Sequence, residues 1–175
     1  MPSLESVLGP FHVLSYATLL GTQLYQTFII TKVAYIALPR SAFTTLQKRL
    51  FPIYFQCQSS LLLLTLLSVP PAGPLSLLRS IHTWAPFAAA GATAALNLCL
   101  YGPRTRQIMI ERIHQSTRDS KKNIADGLAQ PSPEMQVLNR SFSRTHAMSI
   151  HLNLITIFAT IYYGITLATR LQFSS

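Results

Sequence analysis

The chain alternates between four long apolar stretches and polar connectors. The apolar stretches cover about residues 11–38, 53–69, 81–101 and 148–168, and the charged residues cluster between them. A helix of about 20 apolar residues is long enough to cross a bilayer. The pattern therefore predicts an all-α membrane protein, a bundle of four transmembrane helices that forms one domain over residues 1–175, with a connector at 102–147.

Small polar side chains recur in each apolar stretch at three- and four-residue spacing, which places them on one face of a helix. Such a face must contact protein or water when the helix lies in lipid. It either lines a polar cleft or hydrogen-bonds across packed helices, and the second interpretation is favoured because no span contains Asp or Glu. The polar residues are Ser15, Thr18, Thr22, Gln26, Tyr54, Gln58, Thr65, Ser68, Thr93, Asn97, Ser149, Asn153, Thr156, Thr160 and Tyr163.

The third stretch is rich in small residues, and Ala88, Gly91, Ala92 and Ala95 predict a face on which another helix packs closely. Gly102-Pro103 predicts the end of this helix or a kink in it.

The two connectors on one side have different characters. Residues Leu38 to Phe55, with aromatic and leucine residues at helical spacing and three cations, predict a short interfacial helix between spans one and two. The 102–147 connector predicts a helix that frays near Asn123, then a flexible loop, then a helix capped by Ser132 and opened by Pro133. That last helix is expected to continue unbroken into span four.

Charge fixes the expected orientation. The first connector holds three cations and the 102–147 connector eight, whereas the opposite side holds only Arg79 and Arg170. By the positive-inside rule both connectors face the cytosol and both termini face the lumen or exterior. The net charge of +9 is explained by topology and by anionic lipid headgroups rather than by nucleic acid. The N-terminus has no signal-peptide or transit-peptide pattern, so span one is expected to remain as an uncleaved anchor.

Three sequence blocks carry a family resemblance. They are LPRSAFTTLQKRLFPIYF (Leu38 to Phe55), NLCLYGPRT (Asn97 to Thr105) and LNRSFSRTHAMSIHLNL (Leu138 to Leu154). In order and spacing they resemble the transmembrane protein 205-like family of small eukaryotic four-span proteins, and His12 and Gly21 to Gln23 fit as well. The loop from Asp126 to Pro133 is shorter than in animal members. The resemblance implies a four-helix membrane bundle without an established reaction, associated with the secretory pathway and with tolerance to metal-based drugs.

Arginines at the cytosolic ends of the predicted spans are candidates for binding lipid phosphate or another anion, since guanidinium groups contact phosphate in a bidentate manner. Structural roles as topology determinants are an equal alternative. Arg40, Arg104 and Arg144 are expected to converge from different helices. The candidates are Arg40, Arg104, Arg140 and Arg144.

Histidines and cysteines form a weaker set of candidates for haem or copper. The pattern contains no CxxC or HxxxH motif, so packed cysteines and interfacial histidines are the simpler interpretation, and no metal site is predicted. The candidates are His12, His146, His151, Cys57 and Cys99, with Met148 nearby.

No catalytic arrangement is present in the sequence, which lacks GxSxG, a Walker loop and paired acids within the spans. The leading hypothesis is therefore a non-enzymatic endomembrane protein in transport or trafficking, with a lipid- or solute-binding cytosolic face. The alternatives are a haem- or copper-binding redox protein, and an assembly subunit with a homo-oligomeric or other membrane partner. The ER or secretory pathway is the favoured location, and a mitochondrial membrane is the alternative.

Overall fold

The computed structural model of the chain describes residues 4–126 and 132–169, with the side chains of residues 7–77, 80–121 and 132–169. This part of the chain is helical apart from its turns, and its helices form four long segments. The predicted all-helical fold is thus confirmed.

The first segment consists of α1 (Leu4–Leu24), a π-helical turn (Tyr25–Ile30) and α2 (Thr31–Ala37), which follow one another without a break in helical backbone angles. The first apolar stretch was expected from about residue 11, but its helix begins earlier, at Leu4, and Pro10 lies inside α1. A proline removes one backbone hydrogen bond, and the fully buried His12 anchors the helix directly after it. The segment ends as predicted before Pro39, where Leu38 is extended.

The second segment is a single helix, α3 (Arg40–Leu67). It corrects the prediction of a separate interfacial helix between spans one and two, because the helix continues through Pro52. Buried or stacked side chains on both sides of the proline compensate for its missing hydrogen bond: Gln47 is buried before it, and the Phe51 and Phe55 rings stack at 6.0 Å across it.

A proline-rich turn and a 3₁₀ helix (Gly73–Arg79) join the second and third segments. Gly73 has a φ of +66°, and a Cβ atom there would lie 2.9 Å from the carbonyl oxygen of Leu67. This turn therefore requires glycine.

The third segment comprises α4 (Ile81–Leu96), a second π-helical turn (Asn97–Tyr101) and α5 (Gly102–Asp126). Of the two alternatives predicted for Gly102-Pro103, the end of the helix is excluded, because the chain is helical on both sides of the pair. The backbone N–H of Gly102 bonds to Asn97 five residues back, so the hydrogen-bond register shifts at the point where Pro103 supplies no N–H. Where the chain is described, no fraying is seen before Asp126.

The fourth segment, α6 (Pro133–Ala168), runs unbroken for 36 residues, as predicted. Its predicted cap is confirmed as well: the backbone N–H of Met135 donates to Oγ of Ser132 at 3.2 Å, and Pro133 opens the helix. The predicted loop between α5 and α6 lies mostly outside the described residues.

The segments pack as two pairs: α6 lies along α4 and α5, and α1 lies along α3. An apolar core occupies the half of the bundle that contains the 3₁₀ helix. It is formed by Leu19, Leu62, Val69, Leu77, Phe87, Ala90, Ala94 and Tyr163.

Polar side chains lie inside the bundle, and large apolar ones lie on its surface. The buried set includes most members of the predicted polar faces, although Thr18 is exposed and bonds only to its own helix. The exposed set includes Phe28, Ile36 and Leu63. Within the described residues, α3 and α6 are long and apolar enough to cross a membrane.

The prediction of which face of the third segment packs closely against another helix is wrong. Ala88, Ala92 and Ala95 are exposed, and a Cβ atom on Gly91 would meet nothing within 4 Å. The small residues that α4 buries are instead Ala90 and Ala94, because Phe87 and Thr93 share their side of the helix.

Candidate functional site

A cavity of about 350 Å³ lies between the four helical segments, in the half of the bundle away from the 3₁₀ helix. Its volume falls at the lower end of the range typical of small-molecule pockets, about 300–1,000 Å³. Every segment contributes to the lining, and much of its surface is apolar. The apolar contributors include Phe51, Phe55, Leu98, Met109 and Ile150.

A hydrogen-bond network between three segments forms one wall of the cavity. Tyr54 Oη donates to Oδ1 of Asn153 at 2.8 Å, and Gln58 Nε2 donates to the same oxygen at 3.1 Å. Asn153 Nδ2 in turn donates to Oγ1 of Thr27 at 3.0 Å. Thr27 and Asn153 both line the cavity, so this network holds its polar wall in place.

Both π-helical turns border the cavity. The first contributes Thr27, and Thr31 directly follows it; the second contributes Leu98, and Gly102 directly follows it. Single π turns inside longer helices occur often at functional sites. Two of them at one cavity mark this region as the candidate site.

Two buried polar side chains line the cavity without a hydrogen-bond partner among the described residues. Both amide atoms of Gln47 and the hydroxyl of Thr105 are unpaired, although the two residues are only 2% and 8% exposed. A buried polar group left unsatisfied costs about 1–3 kcal/mol. Both residues therefore keep hydrogen-bonding capacity at the cavity that no described residue uses.

Lys48 and Arg106 bring positive charge to the lining, and no Asp or Glu with a described side chain contributes to it. Lys48 is half-buried and Arg106 is exposed. Neither forms an ion pair within the described part of the chain, so the charge of the site is not compensated by the protein there.

A further cation lies behind the cavity wall. The guanidinium of Arg112 stacks on Phe142 at 4.5 Å, and Phe142 stacks on His146 at 5.2 Å, which lines the cavity. Burial, and secondarily repulsion from Arg40, lowers the pKa of Arg112. Positive charge is thus crowded at this end of the bundle.

The four arginines proposed from the sequence lie at this end but outside the cavity. All four are exposed, and none contributes to the lining. Arg40 comes near enough to Arg112 for mutual repulsion. The residues in question are Arg40, Arg104, Arg140 and Arg144.

The haem and copper candidates are dispersed. Cys57 and Cys99 are free and exposed, and the exposed His151 contacts the backbone carbonyl of Ala147 at 2.7 Å. Only His146 lines the cavity. Among the described residues no group of three His, Cys, Asp or Glu side chains is placed to hold a metal ion.

His12 lies on the other side of the apolar core, in a compact polar contact. Its Nε2 lies 2.6 Å from Oη of Tyr163, and its Nδ1 lies 3.1 Å from Oγ of Ser68. Ser68 also donates to the backbone carbonyl of Leu64 at 2.7 Å. Both ring nitrogens of His12 are therefore occupied by protein, and its role here is to join three segments.

With this geometry in view, two comparisons with known proteins define the family. The family described as a domain of unknown function (DUF4149) matches residues 14–114. The chain is also similar to "Xanthocillin biosynthesis cluster protein D" of Aspergillus fumigatus (strain ATCC MYA-4609 / CBS 101355 / FGSC A1100 / Af293), with 43% identity over 170 residues, which is 96% of this chain and 95% of the relative.

The chain therefore belongs to the DUF4149 family. No solved structure matches it. The matched region contains both π turns and the cavity residues of the first three segments, and α6 supplies the remaining wall from outside it.

Sequence reasoning missed the residues that line the cavity with unpaired polar groups and cations. Gln47 and Lys48 belong to the stretch singled out as an interfacial helix, and Thr105 and Arg106 follow the Gly102-Pro103 pair. The sequence did contain a signal for Gln47, namely its helical spacing from Tyr54 and Gln58. Thr105 carried none, because its burial depends on the continuous helix through Pro103.

Proposed function

We propose that this protein is a four-span, non-enzymatic endomembrane protein that binds a small amphipathic molecule in its cavity and serves membrane transport or trafficking. The cavity would lie toward the cytosolic side, with both connectors in the cytosol and both termini in the lumen or exterior. We also propose the relationship to the transmembrane protein 205-like family that the three sequence blocks indicate.

The distribution of side chains supports four spans. The first and third segments are continuous helices, and the first alone, at about 1.5 Å per residue, is roughly 50 Å long, enough to cross a bilayer. Apolar residues cover the outer faces of both segments, as Phe28 and Leu96 illustrate. Exposure of these apolar side chains is favourable in contact with lipid and unfavourable in contact with water.

The observation that carries the binding proposal is the cavity itself. It combines an apolar surface with unpaired polar groups at Gln47 and Thr105, the combination that ligand sites use for affinity and orientation. The relative named for xanthocillin biosynthesis supports a role beside small-molecule biosynthesis, in which a membrane protein holds or moves a product or intermediate.

Cavity filling tests the proposal. Leu98→Trp would place an indole in the cavity, and Leu100→Trp would place the same side chain on the exposed face of the same π turn. Native mass spectrometry of each purified protein, followed by organic extraction, measures the co-purifying small molecule. We expect about one molecule per chain in the wild type and in Leu100→Trp, and loss of it in Leu98→Trp at an unchanged melting temperature.

Equal occupancy in all three proteins, or a wild type that carries no small molecule, would overturn the proposal. Visible absorbance and metal analysis of the same preparations test the haem or copper alternative. A Soret band or stoichiometric metal would identify a cofactor in place of a transported or stored ligand.

A further inference from the structure

The polar part of the cavity is built from two pairs of consecutive residues, one pair on each of two helices. On α3, the buried and unpaired Gln47 precedes Lys48; on α5, the buried and unpaired Thr105 precedes Arg106. All four residues line the same cavity. Each helix therefore presents one neutral hydrogen-bonding group and one cation to the same space.

This arrangement has no counter-ion among the side chains that the structure describes. No carboxylate lines the cavity, and neither Lys48 nor Arg106 has an acidic partner in the described part of the chain. Three acids have described side chains, and none lines the cavity: Glu111 accepts from Gln107, Asp119 accepts from Gln115 and Ser132, and Glu134 is exposed in the first turn of α6. An anionic group of the ligand would supply both the missing charge and acceptors for the unpaired donors.

The rest of the cavity restricts the ligand's body. Phe51, Phe55 and Leu98 give it an apolar wall, and its volume of about 350 Å³ suits one short chain or ring system better than a complete two-chain lipid. Extending the proposed binding function, on which this inference rests, we propose that the cavity takes an anionic amphipath: a carboxylate or phosphate head between Gln47–Lys48 and Thr105–Arg106, with a single apolar body.

The probes are dodecyl phosphate, dodecanoate, dodecanol and inorganic phosphate. Each is titrated by native mass spectrometry against full-length protein in a neutral detergent after delipidation. We expect the two anionic amphipaths to bind at least tenfold more tightly than dodecanol, and inorganic phosphate to bind weakly because it leaves the apolar wall uncovered. Phosphatidic acid as a fifth probe tests a two-chain membrane lipid as the source of the head group: we expect no competition with dodecyl phosphate, and competition would contradict the single apolar body.

The charge variants Lys48→Gln and Arg106→Gln should each weaken binding of dodecyl phosphate by about tenfold or more and leave dodecanol binding unchanged. Arg104→Gln removes an exposed cation from the same helix without touching the cavity, so it should change binding less than twofold. Gln47→Leu keeps the charge of the site and removes the unpaired amide, and it should also weaken binding of the anionic probes.

If dodecanol binds as tightly as dodecyl phosphate and the charge variants have no effect, the inference on the head group fails while the binding function stands. If none of the amphipaths binds, the inference fails, and a wild type with which no molecule co-purifies overturns the binding function as well. A similar loss in Arg104→Gln would show a general surface charge effect and would also contradict the assignment.

Discussion

The phenol of Tyr54 and the amide of Asn153 meet at 2.8 Å between α3 and α6. Asn153 lines the cavity, and Tyr54 is 4% exposed directly behind it. The hydrogen bond therefore connects the packing of the bundle to the shape of the site. Polar contacts between helices stabilise membrane proteins by modest amounts each, about 0.6–2 kcal/mol, so a network of several is needed to fix a cavity wall.

Removing the Tyr54 hydroxyl should destabilise the bundle. Tyr54→Phe leaves the ring in place but deprives Asn153 of one donor and Gln58 of one acceptor. We expect a loss of about 1–3 kcal/mol in the free energy of unfolding, measured as a lower melting temperature in detergent. Tyr25→Phe, at an exposed position of the first π turn, is the control and should leave the melting temperature unchanged. Equal melting temperatures for both variants would show that the network does not stabilise the fold.

Gly102 should tolerate no side chain. A Cβ atom there would lie 2.6 Å from the carbonyl oxygen of Asn97 and 3.1 Å from the Phe55 ring. Gly102→Ala must therefore shift the π turn or push Phe55 into the cavity, at a cost of about 1–3 kcal/mol, and should reduce ligand occupancy. Thermal unfolding and native mass spectrometry measure the two effects.

Gly91→Ala provides the matched control in the same helical segment, because its Cβ atom would meet nothing within 4 Å. Alanine is about 1 kcal/mol more favourable than glycine inside a helix, so this variant should be neutral or more stable. A Gly102→Ala protein as stable as Gly91→Ala, with full occupancy, would contradict the close packing of Gly102.

The two free cysteines can test whether the second and third segments lie in a membrane as proposed. Cys57 and Cys99 are exposed on α3 and on the second π turn. Spin labels attached to them in lipid bilayers should be accessible to oxygen and protected from a water-soluble nickel complex. Access of the nickel complex to the label on Cys99 would contradict a transmembrane third segment, and single-cysteine variants keep the two readouts separate.

Topology has its own test. A glycosylation acceptor inserted between Asp126 and Ser132 should remain unmodified in microsomal membranes, whereas an acceptor on a spacer before Met1 should be modified. The reverse pattern would invert the orientation. Modification of neither acceptor would argue against insertion through the secretory pathway.

Much of the fold follows from patterns that depend on a few neighbouring residues. The polar faces at Gln58, Asn97 and Asn153 predicted which side of each helix is buried, since helical spacing is a local property. Ser132 and Pro133 predicted a helix start for the same reason. The sequence also indicated that polar groups would bond across helices, as Tyr54, Gln58 and Asn153 do.

The site depends on properties that local patterns do not contain. Pro52 and Pro103 suggest breaks, but packing on either side keeps α3 continuous, and a π turn carries the third segment through Gly102. The prominent arginines drew attention because cations at span ends are easily recognised, and yet the structure places them outside the cavity. Burial of Gln47 and Thr105 without partners among the described residues is a tertiary property, which depends on how all four segments pack.

A density map of the protein purified into lipid nanodiscs tests the central claim most directly. We predict elongated non-protein density in the cavity, with its head beside Gln47, Lys48, Thr105 and Arg106 and its body along Phe51 and Phe55. A map in which these side chains close on one another, with the cavity filled by protein and Gln47 paired within the chain, would contradict the account.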